Sequence, residues 1–502
     1  MSNELLIQLA LGIPLFCSIA VWAFRSAPDV RETVTMLSAI GLFIVAVSIA
    51  MRLDAGQVVE WAMVQVAPGF SFAFKVEPLG AMFGCIASGL WGVNSLYSIG
   101  YMRGNKEKHQ TRFYMCFGVA LFGAMGAAFS ANLFTLFIFY EVLTLSTYPL
   151  VTHKGDANAL RGGRIYLTTL LGTSVGFFLL AIVGTYVVTG MTPNGFDASI
   201  ATTDFTQGGI LEGHASKIVG SVLLLLFVFG IGKAAIMPFH FWLPNAMVAP
   251  TPVSALLHAV AVVKTGVFAV LKIATFIFGA DYLITLPGRE IILVVGCFTI
   301  VVASLIALTK DNLKARLAYS TVSQLSYVTV GAMLATNAAM MGAGLQIAMH
   351  AVGKITLFMC AGAIYVATGK GNISEMRGLG RKMPIVFTCF LLASLSIIGV
   401  PPFGGSWAKY ELLLGALDAE KTYVVWTLIA SSILNVIYLI PISILALMPP
   451  KGSGVPVAFK REGGAPPLAV LPPALTAFGC LVLFFGVNVL FDFLLPVFGS
   501  RL

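Results

Sequence analysis

Seven ionisable side chains lie inside long apolar stretches of this sequence. They are Glu141, Lys233, Lys264, Lys354, Lys409, His258 and His350. A charge at the centre of a bilayer costs about 2.5–3.5 kcal/mol on insertion scales, so a group of charges indicates pairing or a hydrated path. A buried lysine gives up its proton readily, a nearby carboxylate opposes that loss, and histidine relays protons near neutral pH. These residue types therefore favour proton transfer over purely structural ion pairs.

Spacing along the chain adds detail to this hypothesis. His350 and Lys354 are four residues apart and share one face of a helix. His258 and Lys264 are six apart and would not share a face of an ideal helix, although a local π-helical bulge could bring them together. The seven cysteines all fall in apolar runs without a CxxC spacing. The sequence therefore predicts no metal site and no bound cofactor.

The composition identifies the elements that must position these side chains. Hydrophobic residues make up 58% of the 502 residues and charged residues only 10%. The mean hydropathy is +0.93. A soluble protein needs more surface charge, and outer-membrane barrels show short alternating segments instead of long apolar runs. The chain is therefore predicted to be an all-α polytopic membrane protein. Its net charge of +9 is scattered over short loops, which argues against nucleic-acid binding.

Runs of about twenty apolar residues predict fourteen membrane spans. We number them in chain order, at residues 5–24, 33–51, 78–100, 113–129, 132–152, 164–189, 218–238, 252–278, 288–309, 316–335, 342–368, 384–413, 422–447 and 466–496. Four parts of the chain follow from them. These are N-terminal spans 1–3 (residues 1–112), a first repeat of spans 4–8 (113–278), a second of spans 9–13 (288–447), and a loop with span 14 (448–502).

Spans 7 and 12 carry residues that interrupt a helix. These are Pro238 and Pro244 in or just after span 7, and Pro401, Pro402, Gly404 and Gly405 in span 12. Proline removes a backbone donor and clashes with the preceding turn, and broken helices at membrane depth occur where they line a cavity or are buried in protein. Each break is in the fourth span of a five-span block. Because five is odd, the second block enters from the opposite side, which predicts an inverted repeat.

Lysine and arginine counts predict the orientation. The odd-to-even loops, from loop 1–2 to loop 13–14, carry nineteen of these residues, whereas the opposite side carries seven. Positively charged loops remain in the cytoplasm, so both termini are expected on the outer side of the membrane.

Several stretches resemble a known family. The run from Phe139 to Leu150 resembles the fifth helix of complex I antiporter-like subunits and Mrp-type cation/proton antiporters. The run from Gly232 to His258, with HFWLPNAMVAPTPVSALLH, resembles their broken seventh helix and the start of the eighth. HAVGK at 350–354 and GVPPFGG at 399–405 extend the resemblance to about residues 75–450. Among the branches, the chain is most similar to the D-type subunit of Mrp antiporters.

The resemblance implies roles for the buried residues. Glu141 corresponds to the glutamate that pairs with the lysine of helix seven, here Lys233. Lys264 corresponds to the lysine that passes protons onward, His258 to a histidine near it, and His350 and Lys354 to a relay. Lys409 corresponds to the terminal lysine of helix twelve. The resemblance also implies other membrane subunits as partners, and protons and Na+ as transported ions.

Three functions fit these features. The leading hypothesis is a proton-translocating subunit of a Na+/H+ antiporter in the bacterial cytoplasmic (inner) membrane, and not an enzyme. The second is the pump of a complex I-like respiratory or hydrogenase complex. The third is the membrane subunit of a proton-driven inorganic-carbon uptake system. The chain contains no redox motif, so its partners distinguish these alternatives.

Overall fold

A computed structural model describes residues 2–68, 70–256, 260–449 and 464–499 of the chain. All fourteen predicted spans coincide with helical segments there. Ten of the described helices are long and apolar enough to cross a membrane. The prediction of a multi-pass helical membrane protein is confirmed.

The helices of the N-terminal part and of the first repeat follow the predicted spans closely. Spans 1–3 are Asn3–Ala23, Pro28–Asp54 and Pro78–Gly104. Spans 4–6 are Gln110–Ala128, Leu133–Val151, and Ala157–Thr173 continued by a π-helical turn, Ser174–Phe178, and by Leu179–Thr189. Span 7 begins with Lys217–Gly230, and span 8 comprises Thr251–Leu256, Val262–Ile273 and a π-helical turn, Ala274–Phe278.

The second repeat begins after a short helix, Ala280–Ile284. Spans 9–11 are Pro287–Thr309, Leu313–Leu334 and Asn337–Thr368. A 3-10 turn, Ile373–Glu375, and a short helix, Leu379–Lys382, precede span 12. Span 12 comprises Pro384–Ile398 and Gly405–Asp418, span 13 is Thr422–Leu447, and span 14 is divided into Pro467–Phe485 and Val487–Phe498.

Two β-hairpins occupy the two longest predicted loops. Strands β1 (Glu60–Ala67) and β2 (Phe70–Lys75) pair antiparallel between spans 2 and 3. The much shorter β3 (Met191–Thr192) and β4 (Gly195–Phe196) pair after span 6. The other regular secondary-structure elements in the described parts of the chain are helices.

Span 11 is the central helix. It has 32 residues, and 94% of its most apolar window is buried inside the protein. It packs against spans 3, 8, 10, 12 and 14. Small residues such as Gly342 and Gly353 allow these close approaches. A helix so enclosed can carry polar side chains away from lipid.

The break in span 7 begins earlier than its prolines predict. The first helix ends at Gly230, a 3-10 turn follows at Gly232–Ala234, and Ala235 has a φ of +55°. Pro238 therefore lies within the break, and Pro244 lies in a short helix, Trp242–Asn245, followed by a 3-10 turn, Ala246–Val248. Two side chains satisfy freed backbone groups: the Lys233 N–H donates to the Tyr140 hydroxyl, and the Trp242 indole donates to the Gly232 carbonyl.

The break in span 12 lies where it was predicted, with one correction. Pro401 and Pro402 are in the turn between the two half-helices, and Gly404 is the residue that precedes the second half-helix. Gly405 is the first residue of that helix and not part of the unwound segment. A Cβ atom at Gly405 would be 1.9 Å from the Ser396 carbonyl oxygen. Only glycine allows the two half-helices to approach this closely.

Candidate proton-transfer site

Lys233 is held by two neutral oxygen atoms of span 5. Its side chain is completely buried. The ammonium donates hydrogen bonds of 2.6 Å to the Tyr140 carbonyl and 2.6 Å to the Thr144 hydroxyl. Both acceptors are on one face of the span 5 helix, because they are four residues apart. The break in span 7 points the lysine at this face.

Glu141 lies next to this site but does not pair with Lys233. Its side chain is half-buried, and neither carboxylate oxygen has a hydrogen-bond partner among the described residues. Glu141 is within electrostatic range of Lys233. No ion pair joins the two, although the family resemblance implied one. The structure therefore shows the pair in a separated arrangement.

Lys264 is on the helix of span 8, which packs against the break that carries Lys233. A Cβ atom at Gly266 would be 2.4 Å from the Lys233 carbonyl carbon, so this glycine lets span 8 contact the break directly. The Lys264 side chain is completely buried, and its ammonium nitrogen has no hydrogen-bond partner within the described ranges. An ammonium without an acceptor is costly inside a membrane, and a water molecule or release of the proton relieves that cost.

A column of polar side chains lies between spans 10 and 11 and joins them by hydrogen bonds. The Lys354 ammonium donates to the Ser320 hydroxyl at 2.6 Å and to the Leu317 carbonyl at 3.3 Å. Two helical turns away, the Gln346 amide donates to the Gln324 side chain at 2.9 Å. His350 lies between Gln346 and Lys354 on span 11. It is 1% exposed, and neither ring nitrogen has a partner in the described part of the chain.

Lys409 lies in the second half of span 12, just after the break, and is 8% exposed. It donates to the Ile398 carbonyl at 2.8 Å and to the Ser432 hydroxyl at 2.9 Å. The Ile398 carbonyl is at the end of the first half-helix, where no intrahelical donor is available. The break therefore supplies an acceptor to the lysine. A largely apolar cavity of about 840 Å³ opens between spans 12, 13 and 14 beside it.

These residues form one buried row across both repeats. Span 8 packs on Lys233, and Lys264 is within electrostatic range of both Lys354 and His350. His350 is in turn within range of Lys409. The row thus crosses spans 5, 7, 8, 11 and 12. His258 lies outside the described residues. Val260 and Ala261, which follow it, have π-helical conformation, and the approach of His258 to Lys264 stays a prediction.

Among the described residues, sequence reasoning missed two completely buried charges, Lys272 and Glu411. Lys272 was counted with the outer loops, yet it is completely buried and pairs with Glu77 at 2.9 Å. Its ammonium also donates to the Ser130 carbonyl at 2.7 Å. Glu411, two residues after Lys409, is completely buried against span 11. Lys272 is within predicted span 8 and Glu411 is within predicted span 12, so their positions inside apolar spans were the available signal.

The hydroxyl partners of the lysines were also missed. Thr144, Ser320 and Ser432 are ordinary residues in apolar helices, and many others of their kind bond only to their own helix. No sequence pattern distinguishes them. Within the described ranges, no group of three or more His, Cys, Asp or Glu residues could hold a metal ion.

Comparison with known proteins identifies the family. The protein-family model described as "NADH:quinone oxidoreductase/Mrp antiporter, TM" matches residues 130–435 of this chain. The N-type subunit of NADH-quinone oxidoreductase from Desulforudis audaxviator is 30% identical over 433 residues, covering 85% of this chain and 83% of that protein. The chain belongs to this family of multi-pass membrane proteins.

Two further similarities concern antiporters. The D-type subunit of the Na+/H+ antiporter from Alkalihalophilus pseudofirmus is 26% identical over 443 residues, covering 88% of this chain and 86% of that protein. A structure of the Mrp complex from a Dietzia species has a TM-score of 0.82 at 22% identity, and the match covers 99% of this chain and 98% of that one. Some relatives are longer: the chain spans only 53% of NAD(P)H-quinone oxidoreductase chain 5 of Synechocystis.

Proposed function

We propose that the chain is a proton-translocating subunit of a multisubunit monovalent cation/proton antiporter that exchanges Na+. One observation carries the proposal: four lysines on four different spans are at most 8% exposed and follow one buried row. Structural ion pairs do not explain this row, because each ammonium that has a partner is bonded to neutral oxygen atoms. The similarity to the D-type subunit of a Na+/H+ antiporter supports the antiporter over other transporters.

Each residue of the row has a part in the proposal. Glu141 approaches Lys233 and withdraws from it, which changes the affinity of that lysine for its proton. Lys264, His258, His350 and Lys354 relay protons through water. Lys409, at the break in span 12, is the exit. The two breaks expose backbone groups that hold water beside Lys233 and Lys409.

The proposal includes a location and partners. The chain would lie in the bacterial cytoplasmic membrane with both termini outside, and residues 113–278 and 288–447 would act as the two inverted repeats. Other membrane subunits would complete the antiporter. The chain would not catalyse a chemical reaction itself.

A second function has specific support. The N-type subunit of NADH-quinone oxidoreductase matches over 83% of its own length at 30% identity, higher than the 26% of the antiporter protein. The same row could therefore serve a redox-driven pump. Purification of the intact complex and mass spectrometry of its components distinguish the two, because iron–sulfur and quinone-site proteins would accompany only the pump.

Substitution of Lys409 tests the proton exit. Lys409→Arg should abolish exchange in membrane vesicles, because guanidinium keeps its proton at physiological pH. Lys409→Glu should retain part of the exchange, since a carboxylate can still trade a proton. A purely structural lysine predicts the opposite order, with Arg tolerated and Glu destructive. Exchange and complex assembly should be measured for both variants, and an active Lys409→Arg variant would remove Lys409 from the proton path.

A further inference from the structure

A second cavity, which is more polar, lies apart from the lysine row, where three positively charged connections meet. Its volume is about 400 Å³. Three lysines line it: Lys154 follows span 5, Lys314 lies at the start of the span 10 helix, and Lys370 follows span 11. All three are at the ends of spans that the charge count assigns to the cytoplasmic side.

Carboxylates do not balance these lysines. None is among the described residues that line the cavity. Glu107 is within electrostatic range of Lys314, but its side chain accepts a hydrogen bond from the Asn105 amide and forms no ion pair with the lysine. The cavity is therefore lined by cations without an anionic partner among the described residues.

The lysines bond instead to backbone carbonyls. The Lys314 ammonium donates to the Ala249 carbonyl at 2.6 Å, and the Lys370 ammonium donates to the Glu375 carbonyl at 3.2 Å. Lys154 is exposed at the rim. A carbonyl satisfies one donor of an ammonium but leaves its charge and two further donors. Three such cations around one cavity repel one another, and an anion relieves that repulsion.

Other lining groups fit an oxygen-rich anion. Tyr101, Thr251 and Tyr365, whose side chains carry hydroxyl groups, are among the residues that line the cavity. A volume of this size accepts a phosphate together with part of the molecule that carries it. Lysine binds phosphate as a compact point charge.

We propose that this cavity binds a phosphate-bearing anion through Lys154, Lys314 and Lys370. The phosphate is that of an anionic phospholipid headgroup or of a free phosphate in the cytoplasm, and both sources present the same chemistry. The bound anion connects the two repeats, because Lys154 belongs to the first repeat and the other two lysines belong to the second.

The site also acts on the linker between the break in span 7 and the start of span 8. Pro244, Val248 and Ala249 of this linker line the cavity, and Lys314 bonds to Ala249. The linker joins the segment that carries Lys233 to the helix that carries Lys264. An anion that fixes Lys314 therefore restrains the linker and regulates the movement of span 8 against the break.

The test uses the purified intact complex in nanodiscs of neutral phosphatidylcholine. Inorganic phosphate, compared with chloride at equal ionic strength, should raise the thermal unfolding midpoint in a saturable way. Lys314→Gln and Lys370→Gln should each weaken binding about tenfold, the loss expected for one charge-assisted hydrogen bond. Lys154→Gln at the exposed rim should weaken binding without affecting the fold. Lys310→Gln, on the same connection but outside the cavity, is the matched control and should bind as the unmodified protein does.

A second arm identifies the source of the phosphate. If the source is a headgroup, native mass spectrometry after purification in mild detergent should reveal a retained phosphatidylglycerol. The triple variant, which combines Lys154→Gln, Lys314→Gln and Lys370→Gln, should lack this lipid. Saturable binding of inorganic phosphate without a retained lipid assigns a free phosphate. The proposal is overturned if neither binds, or if both bind equally well to the triple variant. This readout does not involve ion exchange, so its failure leaves the proposed antiport function standing.

Discussion

Three of the four lysines in the row have the same environment. Lys233, Lys354 and Lys409 each donate to one backbone carbonyl and one hydroxyl group. Lys264 has no such partner among the described residues. Neutral acceptors hold an ammonium less firmly than a carboxylate does, so a proton can leave these sites. Lys272 is the contrast, because its contact with Glu77 stabilises the charged form.

Removal of either charge near the break in span 7 should stop transport. Glu141→Ala and Lys233→Ala should each abolish exchange driven by a pH gradient in membrane vesicles, with the complex still assembled. Either change removes one of two charges that act on each other electrostatically without an ion pair, and the remaining group is then trapped in one protonation state. Retained exchange in an assembled variant would show that this pair has no part in the mechanism.

The Lys272–Glu77 pair should instead control stability. Glu77 precedes the span 3 helix, so its negative charge also favours the N-terminus of that helix. Lys272→Met should destabilise the protein by about 3–5 kcal/mol, because a buried carboxylate remains unpaired.

Thermal unfolding of the purified complex measures this loss. The double variant Lys272→Met with Glu77→Gln should recover part of it, since no lone charge remains. Lys421→Met is the matched control: its pair with Glu290 is 25% and 43% exposed and should contribute at most about 1 kcal/mol. Equal losses at Lys272 and Lys421 would contradict the assignment of a buried pair.

At the scale of elements, the two breaks determine where the lysines point. In span 12 the turn after Ile398 lets a backbone carbonyl face Lys409 across the gap. In span 7 the 3-10 turn at Gly232–Ala234 directs Lys233 towards span 5. A continuous span 12 helix would have used the Ile398 carbonyl internally, so that break creates the acceptor, whereas the break in span 7 orients the lysine.

Substitution of a single glycine tests the geometry of the span 12 break. Gly405→Ala should push the two half-helices apart, because the new methyl group would meet the Ser396 carbonyl at 1.9 Å. Exchange should be lost or reduced at least tenfold, through displacement of Lys409. Gly172→Ala in span 6 is the control, since no atom lies within 4 Å of the added group. Exchange assays on both variants, with expression levels compared, show whether exchange requires the close approach of the two half-helices. Normal activity of Gly405→Ala would mean that the break tolerates rearrangement.

The sequence predicted the elements better than their contacts. Apolar runs, prolines and charges identify spans and breaks because they act through local physics. The early end of span 7 at Gly230 is stabilised by Tyr140 of span 5 and by Trp242, which lies just beyond the break. The separation of Glu141 from Lys233 likewise depends on Tyr140 and Thr144 offering nearer acceptors. Such tertiary choices among common residues leave no signal in a single sequence.

At the scale of the molecule, lysine and arginine residues are distributed unequally between the two sides of the membrane. The loops after the odd-numbered spans carry nineteen lysine and arginine residues, and the other side carries seven. One of those seven, Lys272, is buried in the structure, which leaves six and strengthens the asymmetry. The polar cavity of Lys154, Lys314 and Lys370 lies at the positive end.

Cysteine labelling in intact cells tests this orientation. Ala157 and Ser199 are both exposed; Ala157 is the first residue of the span 6 helix, next to loop 5–6, and Ser199 lies in the connection after span 6. The positive-inside rule places the first in the cytoplasm and the second outside. A membrane-impermeant maleimide should therefore label Ser199→Cys in intact cells, and Ala157→Cys only after permeabilisation. The seven native cysteines lie within the spans and are buried or half-buried, so the background should be low. The reverse labelling pattern would show that the protein has the opposite orientation in the membrane. The cavity of the three lysines would then face the outer surface, where cytoplasmic phosphate cannot reach it.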